Sequence, residues 1–411
     1  MKTKREINEK IRNGSAVVIP APEFKKRVRE GETFTPEDVD IVTCGTFGVM
    51  SGTYAVISVP VAPPGTFRKA EKLLLNGVPA SIGPCPNERL GLVDCIVYGT
   101  AKRDERYGGG HLFADFVAGE RIGVEAEAEG RRYSDDITLK DCTFARIHTS
   151  RSAFKNYTAF LNEEEGIIRT IFSVTGLSGP YKEISVSGCG EVNPVQNDPG
   201  LRSLSSGTPI LVNGVNGIIV GTGTRSTAER PNLACAADMI GMDPLMMGGF
   251  ITSDGPECLT SIAAAIPVLD SSSLHALMVL DEEIPLPVAG ISTRQPIGSS
   301  HYGRVWQGTD RGVQIHADRC LGCTPCLAHL ICPAGALSAE QTLDRSLCLA
   351  CGACASVCEG GVFTMNLGSI SLDKNDIPIT LRQSDRTRAE RLCRRLADEI
   401  MDGSFLLSEG P

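Results

Sequence analysis

Hydrophobic and polar positions alternate along this chain in short runs, and the period of the runs changes often. Ile7 to Arg12 spaces its apolar residues as a short helix, and Ala16 to Ile19 reads as a buried strand that stops at Pro20. Glu23 to Glu30 is a second helix, opened by Pro22 in its first turn and stopped by Gly31. From Asp40 to Gly48 a strand runs into a glycine-rich turn, where backbone can approach a ligand closely. Asn76-Gly77 after Leu73 to Leu75 marks a tight hairpin, and Asn213-Gly214 after Ile210 to Val212 repeats the signal. Further strands are expected at Val93 to Tyr98, Ile122 to Ala128 and Ile167 to Val174. Helices are expected at Leu112 to Val117, Pro244 to Met247 and Ser272 to Leu280. Hairpins recur too often for a βαβ alternation, so the fold class is α+β with a large mixed α/β body.

Gly290 to Asp310 is rich in Gly, Ser, Pro and polar residues and reads as a linker. Beyond it, Ala389, Leu392, Leu396 and Ile400 fall at helical spacing, so Asp385 to Met401 is an amphipathic helix packed on the body, with Cys393 a structural residue. The expected organisation is a body over 1–290, a linker over 291–310, a cysteine-rich domain over 311–375, and a terminal helix and tail over 376–411. The 411 residues, 42% hydrophobic, suffice for one large core and one small domain. A net charge of −9 argues against nucleic acid as the main partner. The polar start and the lack of a long apolar run predict a cytoplasmic chain without a membrane span.

Candidate chemistry concentrates in eight cysteines. Cys320-Leu-Gly-Cys323-Thr-Pro-Cys326 is followed by Cys332, and Cys348-Leu-Ala-Cys351-Gly-Ala-Cys354 by Cys358. Three thiolates at such intervals wrap three corners of an iron–sulfur cube, and an outlying cysteine closes the fourth. The tandem arrangement resembles a bacterial-type ferredoxin with two [4Fe-4S] clusters. That resemblance assigns Cys320, Cys323, Cys326 and Cys358 to one cluster and Cys348, Cys351, Cys354 and Cys332 to the other. Zinc sites favour two close pairs over a triplet with an outlier, and a reducing compartment disfavours disulfides. Five residues before Cys332 and Glu359 after Cys358 depart from the usual pattern.

In the body, three cysteines stand out by context. Cys44 lies at a strand end beside Gly45 and Gly48, where backbone N–H groups stabilise a thiolate. Cys85 sits in the rigid turn Gly83-Pro-Cys-Pro-Asn-Glu-Arg89 near a cation, and Cys189 is bracketed by Gly188 and Gly190, which would admit a substrate. Cys95, Cys142 and Cys235 read as structural, and Cys258 is open. His111 is the candidate acid or base, since imidazole titrates near neutrality and the three glycines before it would clear space. Arg89, Arg106, Arg151 and Arg225 are candidate clamps for a substrate anion. Gly221-Thr-Gly223 lacks a third glycine, so NAD and ATP are not expected.

Tyr107-Gly-Gly-Gly-His111-Leu-Phe-Ala-Asp-Phe-Val-Ala-Gly119, Thr43-Cys-Gly-Thr-Phe-Gly48, Leu75-Asn-Gly-Val-Pro79 and Asn197-Asp-Pro199 resemble the archaeal and bacterial homocysteine biosynthesis family, from about Ile7 to about Pro287. The resemblance implies a sulfurtransferase that turns an aldehyde into a thiol with electrons from a ferredoxin, as in aspartate semialdehyde to homocysteine. The fused cysteine motifs look like the branch of methanogenesis marker 16 metalloproteins, which implies sulfoacetaldehyde as substrate and coenzyme M, 2-mercaptoethanesulfonate, as product. Ser51 follows Met50 where the homocysteine branch has a cysteine, so that nucleophile does not carry over. The implied partners are a small anionic aldehyde, a sulfide or persulfide donor and an external low-potential electron donor; a homo-oligomer is compatible. Aspartate semialdehyde is the alternative substrate, and an electron-transfer or scaffold subunit of a methanogenesis complex the alternative of another class.

Overall fold

The computed structural model describes residues 1–83, 88–155, 157–372 and 375–409. The body is organised on a sheet of fourteen strands. At its centre runs the strand Gly255–Pro267, every residue of which is buried. On one edge it pairs antiparallel with Ile41–Val49; on the other it takes Gly248–Thr252 and Pro209–Val212. The sheet continues through hairpins to Ile122–Ala128 and Arg131–Ile137. Asn76 and Gly77, and Asn213 and Gly214, all take positive φ, as the two expected hairpin turns require. The expected α+β class holds, and the helices over Lys4–Arg12, Ala21–Arg29, Gly109–Ala118 and Ser271–Met278 fall where the apolar period placed them.

Several expectations need correction. Gly45 and Gly48 lie inside the Ile41–Val49 strand, not in a turn. A Cβ at Gly45 would stand 2.7 Å from the carbonyl oxygen of Ala389, and one at Gly48 equally close to the Ser384 hydroxyl oxygen. These glycines let the helix Arg386–Met401 and its lead-in lie directly on the strand. Of Ile167 to Val174, only the Gly166–Ile168 end is a strand; Thr170 and Ser173 then bond to the Ser253 turn. Pro244–Met246 is a single 3-10 turn.

The stretch expected as a linker, 291–310, is ordered into a strand, Pro296–His301, and a short helix, Gly303–Trp306. The strand belongs to a second, six-stranded sheet, in the order Pro296–His301, Pro285–Gly290, Ala159–Leu161, Ile184–Val186, Asn375–Arg382, Ser369–Leu372, and the helix packs on its core through Val305 and Trp306. Its core packs Leu161, Val186, Leu286, Tyr302, Trp306 and Ile377. The cysteine-rich segment is therefore inserted into this sheet, not appended after it. Its two ends meet: the Asp310 amide donates to the Asn366 carbonyl at 2.8 Å, and the Asn366 amide to the Asp310 carboxylate at 2.7 Å.

The helix Arg386–Met401 buries Ala389, Leu392, Cys393, Leu396 and Ile400, as its spacing predicts. Asp385 caps it through the Arg388 amide. At its first turn the buried Arg386 is ion-paired with Asp281 and, at 2.6 Å, with Glu191, which Arg29 also contacts at 2.8 Å. Removing one partner of such a network strands a buried charge, so it fixes where this helix begins.

Candidate active site

A cavity of about 240 Å³ lies where the Gly109–Ala118 helix, the edge strand Gly248–Thr252 and the cysteine-rich segment meet. Its wall includes His111, Arg388, Phe47 and Leu259 from the body, and Leu347 and Leu349 from the segment. A larger open cavity of about 480 Å³, beside Arg304 and Ser369, contains none of the residues singled out in the sequence. The smaller one is the candidate site, because it alone of the two joins the predicted imidazole to the cysteine motifs.

His111 occupies the third position of its helix, where its Nδ1 accepts the Gly108 amide at 3.2 Å. With that lone pair engaged, the neutral ring carries its proton on Nε2, so it is a hydrogen-bond donor. Burial, reinforced by Arg106 and Arg103, pushes the imidazole down to about 4. The ring is thus neutral across the physiological range, which corrects the expectation of a group titrating near neutrality. The three glycines before it do not clear space either. A Cβ at Gly109 would stand 2.1 Å from the Tyr98 carbonyl, and one at Gly110 would meet the Cys258 backbone at 2.9 Å. They seat the helix start on the sheet. Tyr107 stacks on His111 with ring centroids 5.5 Å apart, and its hydroxyl donates to Asp115 at 2.5 Å.

Arg388 supplies the cation of the cavity, and the sequence reading missed it. It is 6% exposed, pairs with Asp385 at 3.2 Å, lies 5.2 Å from the Phe47 ring centroid and donates to the Ser346 carbonyl. Its guanidinium bridges the helix to the residues just before Cys348. A cation one residue past the helix's amphipathic frame looks like solvated charge until the partner surface is known. The expected clamps lie elsewhere. Arg106 bonds the Leu330 carbonyl at 2.5 Å, Arg151 lies over the Phe154 ring at 4.4 Å, and Arg89 and Arg225 are exposed.

The body cysteines are not drawn to the cavity wall. Cys44 is fully buried mid-strand, and burial pushes its thiol up to about 12 despite the nearby Lys25, itself down to about 8. Cys189 is equally buried, its thiol up to about 11 and its Sγ 3.6 Å from the Phe47 carbonyl. Gly188 and Gly190 give room to Tyr302 and Asp281, not to a substrate: a Cβ would stand 2.5 and 2.1 Å from their oxygens. Both environments favour the inert thiol over the thiolate, against the expectation of activation. Cys393 feels the charge of both Cys44 and Cys189, so the three share one buried region. Cys95, Cys142, Cys235 and Cys258 are buried as well. Cys85 lies outside the described residues.

In the inserted segment, Gln314–Ile315 pairs with Phe363–Thr364, and short helices follow Cys326 and Gly352. Cys332, Cys348, Cys351 and Cys354 each enter the electrostatic field of others in that set. This is the foursome assigned to one cluster. The Ala350 amide points at Cys348 Sγ at 3.4 Å, and Cys320 Sγ receives Gly322 N–H at 3.4 Å and Gln341 Nε2 at 2.9 Å. Amide donors of this kind are the usual neighbours of a metal-bound sulfur. Among the described residues no three candidate ligands are close enough to grip a single ion. A cubane is held by four thiolates at its corners, and the residue types and their spacing along the chain are those such a group would take. The two sets differ in depth: Cys320 and Cys323 are exposed, whereas Cys351 is buried in the main core, and Cys348 lies between two cavity-lining leucines.

Residues 16–407 match the family model described as homocysteine biosynthesis enzyme, sulfur-incorporation. The chain belongs to that family. It is 43% identical over 406 residues to an uncharacterized protein of Methanothermobacter thermautotrophicus, covering 98% of this chain and 94% of that one. It is 33% identical over 311 residues to an L-aspartate semialdehyde sulfurtransferase of Methanocaldococcus jannaschii, covering 70% of this chain and 58% of the relative. A Methanosarcina acetivorans protein of the same name is 30% identical over 297 residues, covering 69% of this chain and 57% of the relative. No solved structure matches. Membership in this sulfur-incorporation family agrees with the resemblance carried by the Gly-Gly-Gly-His111 motif. No described helix is long and apolar enough to cross a membrane.

Proposed function

We propose that this chain reductively thiolates a small anionic aldehyde in the cavity between His111 and Arg388, and that the substrate is sulfoacetaldehyde and the product 2-mercaptoethanesulfonate. The carrying observation is the shared cavity: a neutral imidazole donor and a buried guanidinium on one side, and the residues flanking Cys348 on the other. Arg388 holds the sulfonate by charge-assisted hydrogen bonds, and His111 Nε2–H polarises the aldehyde oxygen toward attack by sulfur. Because no described body cysteine lines the cavity, sulfur is taken from a sulfide or persulfide donor that enters it. Cys320, Cys323, Cys326 and Cys358 would hold one [4Fe-4S] cluster, and Cys332, Cys348, Cys351 and Cys354 the other. Such clusters supply one-electron steps at low potential. The set containing the exposed Cys320 and Cys323 would take electrons from an external donor, and the set around Cys348, whose neighbours Leu347 and Leu349 line the cavity, would pass them on.

The L-aspartate semialdehyde sulfurtransferases among the relatives favour a second reading, with that aldehyde as substrate. An α-amino group would need an anionic carboxylate, and the one in the cavity wall, Asp115, accepts from Tyr107 while burial pushes its carboxyl up, toward the neutral form. Arg388, although paired with Asp385, stays a cation, which favours a sulfonate. Purified protein, reconstituted with iron and sulfide and given each aldehyde with sulfide and titanium(III) citrate, decides between them. Preference for the amino-bearing aldehyde overturns our choice of substrate. Failure to form thiol from either overturns the reaction.

A further inference from the structure

Five neighbouring strands of the large sheet carry an outer face that is apolar where a solvated face should be polar. In order across the sheet they are Val215–Thr222, Leu233–Asp238, Phe144–Thr149, Thr53–Pro60 and Leu92–Tyr98. Their inward residues, such as Ile57, Val97 and Ile147, belong to the main core. The residues alternating with these face the other way. There Phe144, Ile218, Val220 and Tyr98 are each between 42 and 51% exposed. Tyr54 stacks on His148 with ring centroids 5.2 Å apart and lies 6.4 Å from Tyr98, so the rings form one continuous surface. An antiparallel sheet with one wet face alternates apolar and polar residues. The far edge of the same sheet obeys that rule: Glu125 and Glu127 pair there with Ser134 and Arg132. The five strands lack the polar half of the pattern, which is the mark of an interaction surface.

Register decides what fits this face. Ile218, Ala236, His148, Tyr54 and Tyr98 stand in one row across the strands. In the next row Arg146 and Asp238 are cross-strand partners, with Val56 on the other side of Arg146. Both charged residues are exposed, and among the described residues neither has an ion-pair partner. The Arg146 guanidinium lies 5.4 Å from the Phe144 ring centroid, and Asp238 Oδ1 accepts the Ile240 amide at 2.9 Å. A two-fold axis along the strands, between Phe144–Thr149 and Leu233–Asp238, turns the face onto itself. Arg146 of each copy then lies over Asp238 of the other, so two unpaired charges per chain become two intermolecular ion pairs. The same operation sets the small Ala236 against His148 and Ile218 against Tyr54, so small meets large along the row.

We propose that this face is the contact between two copies of the chain, packed sheet on sheet as an isologous dimer. Strands about 4.8 Å apart, with outward residues about 6.8 Å apart along each, give a face on the order of 24 by 20 Å. The corrugation of the side chains and a rim that includes the exposed Ile240 add to that projection. The total approaches the roughly 800 Å² that each partner of a standard interface contributes. An apolar centre holding a few complementary charges is the composition of a specific interface, in which the charges fix the register.

Sedimentation equilibrium of the purified full chain at micromolar concentrations should give twice the mass of the chain. Ile218→Asp, at an exposed position, should give the mass of one chain, with a far-ultraviolet circular dichroism spectrum that shows the fold is kept. Arg146→Asp or Asp238→Arg alone sets like charges against each other and should raise the dimer dissociation constant at least about tenfold. The two changes together exchange the charges and should return it to within about threefold of the wild-type value. All three positions are exposed, and the recovery in the double variant is one that a mere loss of folding could not produce. A single-chain mass for the wild-type protein overturns the proposal and leaves the face to another partner. A dimer indifferent to Ile218→Asp, or a double variant no tighter than the single ones, overturns it as well.

Discussion

The imidazole of His111 fills the space that a side chain at Gly249 would need: a Cβ there would stand 2.1 Å from the ring. The donor proposed for the reaction is held against bare backbone of the edge strand. Gly249→Ala must therefore push the ring aside, and a displacement of about 1 Å costs on the order of 100-fold in rate. Steady-state kinetics of this variant should show that loss in kcat, with iron content unchanged.

A neutral His111 has a pH signature of its own. Its proton is favoured in the unfolded chain, since the folded value is lowered from 6.5 to about 4. Stability is complete above the unfolded value and is lost as pH falls through that window, by up to about 3 kcal/mol. His111→Gln should flatten this acid limb in urea titrations at pH 7 and pH 4.5, about the two ends of the window. The same variant keeps an N–H donor and should retain more activity than His111→Ala.

Arg388→Met removes the cation of the cavity. Hydrogen bonds to charged groups contribute about 2 kcal/mol, so the dissociation constant for a sulfonate should rise roughly thirty-fold. Equilibrium titration with ethanesulfonate, which carries the anion without the aldehyde, measures this apart from chemistry. Equal affinity in the two proteins would place the anion elsewhere.

Gly45→Ala tests the seat of the C-terminal helix. The added methyl meets the Ala389 carbonyl at 2.7 Å, with Cys393 Sγ at 3.0 Å, so backbone must shift. We expect a destabilisation of about 1–3 kcal/mol, read as a lower urea midpoint at unchanged slope. Gly14→Ala, at a turn with open space but positive φ, separates steric crowding from backbone strain.

What the sequence made legible was what local chemistry dictates. Asn76-Gly77 and Asn213-Gly214 have one favoured turn, and the spacing of Ala389, Leu392, Leu396 and Ile400 has one favoured helix face. The six-stranded sheet was hidden because Ala159–Leu161 and Ile184–Val186 are three residues long, too short to show a period, and gather strands from distant parts of the chain. Glycine was misread most often. Beside Cys44, His111 and Cys189 it suggested room for a substrate, whereas each of those glycines is filled by a neighbouring carbonyl, ring or carboxylate of the fold. Arg388 was illegible because its meaning comes from what lies across from it, the Ser346 carbonyl.

The paired amides of Asp310 and Asn366 give the inserted segment one doorway in the chain, yet its flank is fastened to the body as well, at Pro333, Ser346 and Cys351. Held at its root and along its side, the segment is a wall of the body and not a pendant, and cutting it out would uncover both the cavity and part of the main core.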